Sequence, residues 1–144
     1  MGKKRIVKKG GEDASGKAAG APSSRRSTRK MDRGLLFVEA TYNNTKMGLA
    51  DTSGNVVTWS SSGSLGFSGA KKGTPFAAAK VGELLGEKAE GMGVKEVDVI
   101  VSGVGAGRES SIRAFSTKGI HISSIKDRTP VPHNGPRPPK PRRV

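Results

Sequence analysis

The residues best placed to do chemistry are Gly103-Val104-Gly105-Ala106-Gly107-Arg108-Glu109-Ser110. Glycine recurs at every second position where an apolar run ends and helix-forming residues begin. In that setting a glycine-rich loop can turn backbone N–H groups toward an anion. The spacing is not that of a nucleotide-binding loop, because no Gly-Lys-Ser/Thr follows and GxGxG departs from GxGxxG. Glu109 suits the positive end of a helix, whereas Arg108 has the wrong sign for it. A phosphate lying between Arg108 and the helix start would account for that sign. Two readings stand side by side: a phosphate cradle formed by Gly103, Gly105, Gly107 and Arg108, or a tight turn that simply requires small residues.

A second candidate is the stretch from Ser60 to Gly73, SSSGSLGFSGAKKG. Glycines permit close approach of backbone, hydroxyls can donate to phosphate or ribose, and Lys71 and Lys72 supply charge. Phe67 either stacks on a base or plugs the core beneath the loop. Asn43 and Asn44, followed by Thr45, serve a turn and offer polar groups to RNA. For catalysis the inventory is poor. His121 falls in a strand and His133 in a proline-rich segment, with no nucleophile or carboxylate pattern to pair them. Glu39, Asp51 and Asp98 have no spacing that argues for a two-metal centre. Without cysteine there is no disulfide, thiolate metal site or Cys nucleophile. No enzyme activity, metal or cofactor is expected.

These groups must be positioned by a small α/β unit. Gly34–Tyr42 alternates, with Leu36, Val38 and Ala40 on one face and Leu35, Phe37 and Glu39 on the other. Met47–Ala50 and Val56–Trp59 flank Asp51-Thr52-Ser53-Gly54-Asn55, a hairpin signal. Thr74-Pro75 supplies a helix N-cap and first residue. The helix it starts runs to about Glu90, with Ala77, Ala78, Val81, Leu84 and Leu85 as its apolar stripe and Gly82 and Gly86 packing closely on the sheet. Val94–Val101 reads as a buried strand. A second helix over Arg108–Thr117 buries Ile112 and Phe115, and Ile120–Ile125 is the last strand. The order β-β-β-α-β-α-β predicts an α/β sandwich of mixed sheet and helices.

Charge divides the 144 residues into three parts. The net charge of +14 is extreme for 15.0 kDa and predicts a polyanionic partner, nucleic acid ahead of anionic membrane. Residues 1–33 hold eleven Lys/Arg against three acids, and 126–144 hold six against one, while 34–125 hold nine against eight. Residues 1–33 therefore read as a basic, disordered extension with scarcely an apolar side chain beyond Ile6 and Val7. Residues 34–126 form the core. Residues 127–144, with six prolines among the last fifteen, form an extended arm whose Arg128, Arg137, Lys140, Arg142 and Arg143 reach for phosphates. No apolar run approaches the roughly 18–20 residues of a membrane-spanning helix, and no signal segment is recognisable, so a cytoplasmic protein without membrane contact is expected.

From Leu35 to Val144 the chain resembles small-subunit ribosomal protein S-eleven. The carrying motifs are Tyr42-Asn43-Asn44-Thr45, Ser64-Leu65-Gly66-Phe67 with its Lys pair, Thr74-Pro75-Phe76-Ala77-Ala78, Gly107-Arg108-Glu109-Ser110 with Ile112-Arg113-Ala114, and Asp127-Arg128-Thr129-Pro130-Val131-Pro132-His133-Asn134-Gly135. Val104 and Ala106 stand where that family carries prolines. The resemblance implies a ribonuclease-H-like sandwich with a mixed five-stranded sheet, lacking that enzyme's acidic site. It implies a structural role on the small-subunit platform, bridging helices of 16S-type rRNA. The neighbours implied are small-subunit proteins seven and eighteen, with initiation factor three and the cleft holding the mRNA leader (Shine-Dalgarno) duplex nearby. By match of motif, Lys71, Lys72, Arg108, Arg113, Arg128, Arg137, Lys140, Arg142 and Arg143 are the implied RNA contacts. From charge alone, the rival is a free nucleic-acid chaperone or nucleoid-type binder.

Overall fold

The computed structural model describes residues 30–143. The alternation in the first apolar run becomes β1 (Arg33–Ala40), whose Leu36, Val38 and Ala40 are buried. Its antiparallel neighbour β2 (Thr45–Asp51) sets Leu49 opposite Leu36 and Met47 opposite Val38. The hairpin over 51–55 leads to β3 (Val56–Ser61), where a bulge opposite Leu49 and Ala50 inserts an extra residue. On its other side β1 pairs in parallel with β4 (Glu96–Ser102), so that Leu36 lies between Leu49 and Val99. β5 (His121–Asp127) lies parallel to β4. The five-stranded order is β3-β2-β1-β4-β5, a mixed sheet as expected.

Both helices cover the same face. α1 (Pro75–Gly91) starts at Thr74, whose Oγ1 accepts the Ala77 N–H at 3.3 Å, and Pro75 occupies the first turn where its missing N–H costs nothing. α2 (Arg108–Ser116) packs along it. Phe115, Val81 and Leu85 join Leu36, Met47, Leu49, Val97 and Val99 in one cluster of fully buried side chains. Burial of each of the larger ones is worth roughly 1.5–3 kcal/mol.

Four expectations about packing are corrected. Gly82 and Gly86 make room for α2, not for the sheet: a Cβ on Gly82 would stand 3.1 Å from the Ala114 methyl and against the Ser111 carbonyl, and one on Gly86 would meet Lys118. Because the helices meet so closely, α2 buries Ser111 and Phe115, while Ile112 is only partly buried at the margin. Leu84 is half-exposed in a groove with Phe76 and Lys80, and Ala89 takes its place in the core. Met31, within the segment read as basic extension, is buried, and its N–H donates to the Met92 carbonyl at 3.2 Å. The rest of that reading, on residues 1–29, lies outside the described residues. Among the described residues, no helix is long and apolar enough to cross a membrane.

Candidate nucleic-acid interface

β1, β4 and β5 run parallel, and β3 shares their direction through two antiparallel pairings. All four strands therefore end at one edge of the molecule, where both helices begin. Topology alone gathers four segments there: the turn 41–44, the loop 62–74, the loop 103–107 and the start of the C-terminal arm. Open α/β sheets bind ligands at this end because the loops, and not the strands, are free to vary.

The segments are fastened to one another. Ser62 N–H donates to the Thr45 carbonyl at 3.0 Å, and Gly105 N–H to the Ala40 carbonyl at 2.8 Å. Gly73 lies against the Tyr42–Asn43 backbone, where a Cβ would meet Asn43 Cα at 3.4 Å. Inside the first turn, Thr41 Oγ1 accepts the Asn44 N–H at 3.1 Å. Asn44 Oδ1 and Thr45 Oγ1 are buried there without a hydrogen-bond partner among the described residues.

The glycine-rich loop is a packing device. Gly105 and Gly107 are buried, and a Cβ on Gly105 would stand 2.8 Å from the Thr41 carbonyl carbon. Gly103 adopts φ +95°, a conformation that favours glycine. The N–H groups of Gly103 and Gly105 are taken by Thr129 Oγ1 and by the Ala40 carbonyl, so neither is left to cradle a phosphate. Of the two readings of this loop, the geometry favours the tight turn.

Arg108 is likewise accounted for within the chain. Its guanidinium donates to the Gly103 carbonyl, to Thr129 Oγ1 at 3.3 Å and to Asp127 Oδ2 at 2.8 Å. The Thr129 hydroxyl and N–H both donate to Asp127 Oδ1, at 2.6 and 2.8 Å. Thr129 Oγ1 thereby gives its single proton to Asp127 and receives from Gly103 and Arg108, using its full hydroxyl capacity. The Thr129 hydroxyl, then Arg108, hold the Asp127 carboxyl down to about 2. The wrong-sign cation at the helix start therefore has an internal anion, Asp127, and the motive for an external phosphate at that point falls away. What Arg108 does is latch the root of the C-terminal arm onto the glycine loop.

The cations left over point outward. Lys71 closes a short 3-10 turn (Gly69–Gly73) with Lys72, and Arg113 borders an open groove with Pro75, Ala106 and Ser110. Arg128, Arg137, Lys140, Arg142 and Arg143 are exposed along an arm that has no helix or strand. Among the described residues, none of these eight is in an ion pair, whereas Arg33, Lys80, Lys95, Arg108 and Lys118 are. Asn43 is exposed at the turn beside Tyr42, which is 79% exposed. The serine hydroxyls expected to meet RNA are partly withdrawn. Ser60, Ser61 and Ser62 are buried, and Ser64 Oγ accepts the Ser61 N–H at 2.9 Å. Phe67 neither plugs the core nor stands alone; it packs edge-on against the exposed Phe76, with ring centres 6.1 Å apart.

Tyr42, Phe76, Asp127 and Thr129 entered the sequence reading only as parts of the motifs that carry the resemblance, with no role in the site. The last two had a signal: an Asp whose side chain captures the N–H two residues on is a common turn device. Glu39, Asp51 and Asp98 are dispersed over the sheet, Asp98 held by Ser124 at 2.6 Å and Arg33 at 3.1 Å, and no group of three metal-ligating side chains occurs among the described residues.

Residues 34–143 match the family Ribosomal protein S11. The chain is 53% identical over 116 residues to the small ribosomal subunit protein uS11 of Solibacter usitatus, covering 81% of this chain and 86% of that one. It is 52% identical over 116 residues to the protein of that name from Gloeobacter violaceus, covering 81% and 89%. To the one from Acaryochloris marina it is 49% identical over 129 residues, covering 86% and 99%. The end of the sheet that carries the latch and the eight unpaired cations lies wholly inside the matched region, and the chain belongs to the ribosomal protein S11 family.

Proposed function

We propose that this chain is a non-catalytic structural constituent of the small ribosomal subunit that binds 16S-type rRNA through the loop end of its sheet and its C-terminal arm. The observation that carries the reading is that eight cations, Lys71, Lys72 and Arg113 on the domain and Arg128, Arg137, Lys140, Arg142 and Arg143 on the arm, are in no ion pair among the described residues, on a domain otherwise near neutrality. Cations not spent inside the fold are free to displace counterions from phosphates. Gly103, Gly105, Gly107 and Arg108 serve this surface indirectly, by fixing where the arm departs. Asn43 and the exposed Tyr42 ring add polar and stacking groups suited to unpaired bases, while Asn44, with its side-chain oxygen buried, shapes the turn that presents them.

The finer reading is a bridge between separate rRNA helices on the platform, near the cleft that holds the mRNA leader duplex. Small-subunit proteins seven and eighteen are its neighbours, with initiation factor three close by. Two binding elements, a rigid loop end and an extended arm, support a bridge more than a single grip. Sedimentation tests the core of the proposal. The chain should travel with small subunits through moderate salt, and the variant carrying Lys71→Ala, Lys72→Ala and Arg113→Ala should be lost at lower salt than wild type. A wild-type chain that washes off as readily from subunits as from unrelated RNA is a free nucleic-acid chaperone instead.

A further inference from the structure

The face of the sheet opposite the helices has no covering layer among the described residues, and its charge differs from the loop end. Arg33 pairs with Asp98 at 3.1 Å, and Glu39 stands directly across from Lys46. Glu96 shares this face with Asp98, and Lys126 lies opposite Ile100. Three carboxylates thus offset three cations on a chain of net charge +14. Phosphates have no reason to settle here. Apolar groups are nonetheless exposed on it: Trp59 is 63% exposed and Val56 59%.

Both lie on β3, an edge strand that pairs only with β2. Its sequence VVTWSS contains no charge and no proline. Edge strands are ordinarily guarded by such residues, because a row of free N–H and C=O groups otherwise invites another strand. The bulge on β3 gives no such protection here. It turns Val57 toward the core and leaves Val56 and Trp59 outward. Opposite Trp59 stands Gly48, so a shallow hollow of about 230 Å³ opens between the Trp59 and Phe37 rings.

Resting on the functional reading above, we propose that β3 docks an extended, uncharged segment of another small-subunit protein, which adds to the sheet as a sixth strand and seats an apolar side chain in the hollow over Gly48. Backbone hydrogen bonds supply the affinity in such additions and alternate side chains the specificity. Glu39 and Lys46, directly across from each other, border the hollow with opposite charges, and the strand edge itself carries none, so a neutral segment fits here better than a charged one.

Two measurements on the full chain test this. Trp59 is the sole tryptophan. Replaced biosynthetically by hydroxytryptophan in this chain alone, it can be excited selectively in a reconstituted subunit. Acrylamide should quench it freely in the isolated chain and in its complex with protein-free rRNA, and several-fold less once the total small-subunit proteins are added. In parallel, Val56→Lys and Val56→Asp should both lower retention in the complete subunit, by roughly tenfold in affinity, with binding to protein-free rRNA changed by less than about twofold. Protection already in the rRNA complex, with Val56→Lys tolerated and Val56→Asp not, would assign the face to nucleic acid and overturn the proposal. So would protection in the isolated chain that is relieved by dilution or by deleting residues 1–29, which assigns it to a second copy or to the chain's own N-terminal segment. Free quenching in the complete subunit would leave the face without an occupant and also overturn it. A wild-type chain that never enters the subunit would instead defeat the functional reading itself.

Discussion

Ending the chain after Thr129 removes Arg137, Lys140, Arg142 and Arg143 while keeping Asp127, Arg128 and Thr129, so the latch to Arg108 stays intact. The described residues removed, 130–143, are exposed and lie outside the buried cluster, so the urea midpoint of the truncated chain should match wild type. Binding should not match. Each phosphate contact contributes roughly 0.7–0.9 to the slope of log affinity against log salt, so four lost contacts should flatten it by about 3. Over a fourfold rise in salt the full-length protein should therefore lose roughly 60-fold more affinity than the truncated one. The preference for cognate rRNA over an unrelated hairpin should shrink less than the affinity, because the proposed loop-end contacts to shape and 2′-OH groups survive. Filter binding or fluorescence anisotropy at several salt concentrations measures both. An unchanged slope would refute the reasoning: the arm's cations would then be solvated or bound to protein, and four residues would leave the RNA-contact set.

Three further outcomes are expected. Arg108→Ala should leave the domain folded but speed proteolysis at the root of the arm; since the Asp127 carboxyl is held down to about 2, the latch should be fully formed above pH about 4 and released as the pH falls through about 2, which limited proteolysis or amide exchange at Thr129 across that range would follow. Gly105→Val should cost about 1–3 kcal/mol in urea denaturation, because the added atoms collide with the Thr41 carbonyl, whereas Val104→Ala on the exposed neighbour should be near neutral. Asn134 is exposed, at φ +53°, and precedes Gly135, whose bare backbone can attack the Asn side chain; peptide mapping should find isoaspartate there in the free chain and less of it in the ribosome-bound chain.

The elements were legible wherever a local device set them. The period-two burial of Leu36, Val38 and Ala40, the Thr74-Pro75 cap and the turn at 51–55 each depend on residues a few positions apart, and each falls where expected. What escaped was decided at a distance. Helical periodicity could nominate Ile112, but the approach of α2 to α1 over Gly82 and Gly86 chose Ser111 and Phe115 instead. Met31 is a single apolar side chain in a polar run, and only the end of α1 at Met92 gives it a place to bury. In the site, the arm's cations were readable from charge counting, whereas Lys71 and Lys72 came from the composition of their loop and Arg113 from the resemblance. The roles of Arg108 and the loop glycines were not, because their partners Asp127, Thr129, Ala40 and Thr41 lie at the ends of strands, or just past them, far away in sequence.

The latch makes the C-terminal arm a tether with a fixed origin. Arg128 N–H donates to the Val101 carbonyl at 2.8 Å, and Thr129 is held by Asp127, so the first free residue is Pro130. Fourteen described residues follow from there to Arg143, and a proline-rich chain covers about 3.1 Å per residue, a reach of about 45 Å. With the loop end seated on rRNA as proposed, every arm cation would search only the volume within that radius, at an effective concentration that free peptide could reach only at about millimolar levels. The prolines narrow the search further by keeping the tether stiff. A broken latch would move the tether's origin, and with it the set of phosphates within range, without changing a single charge on the arm.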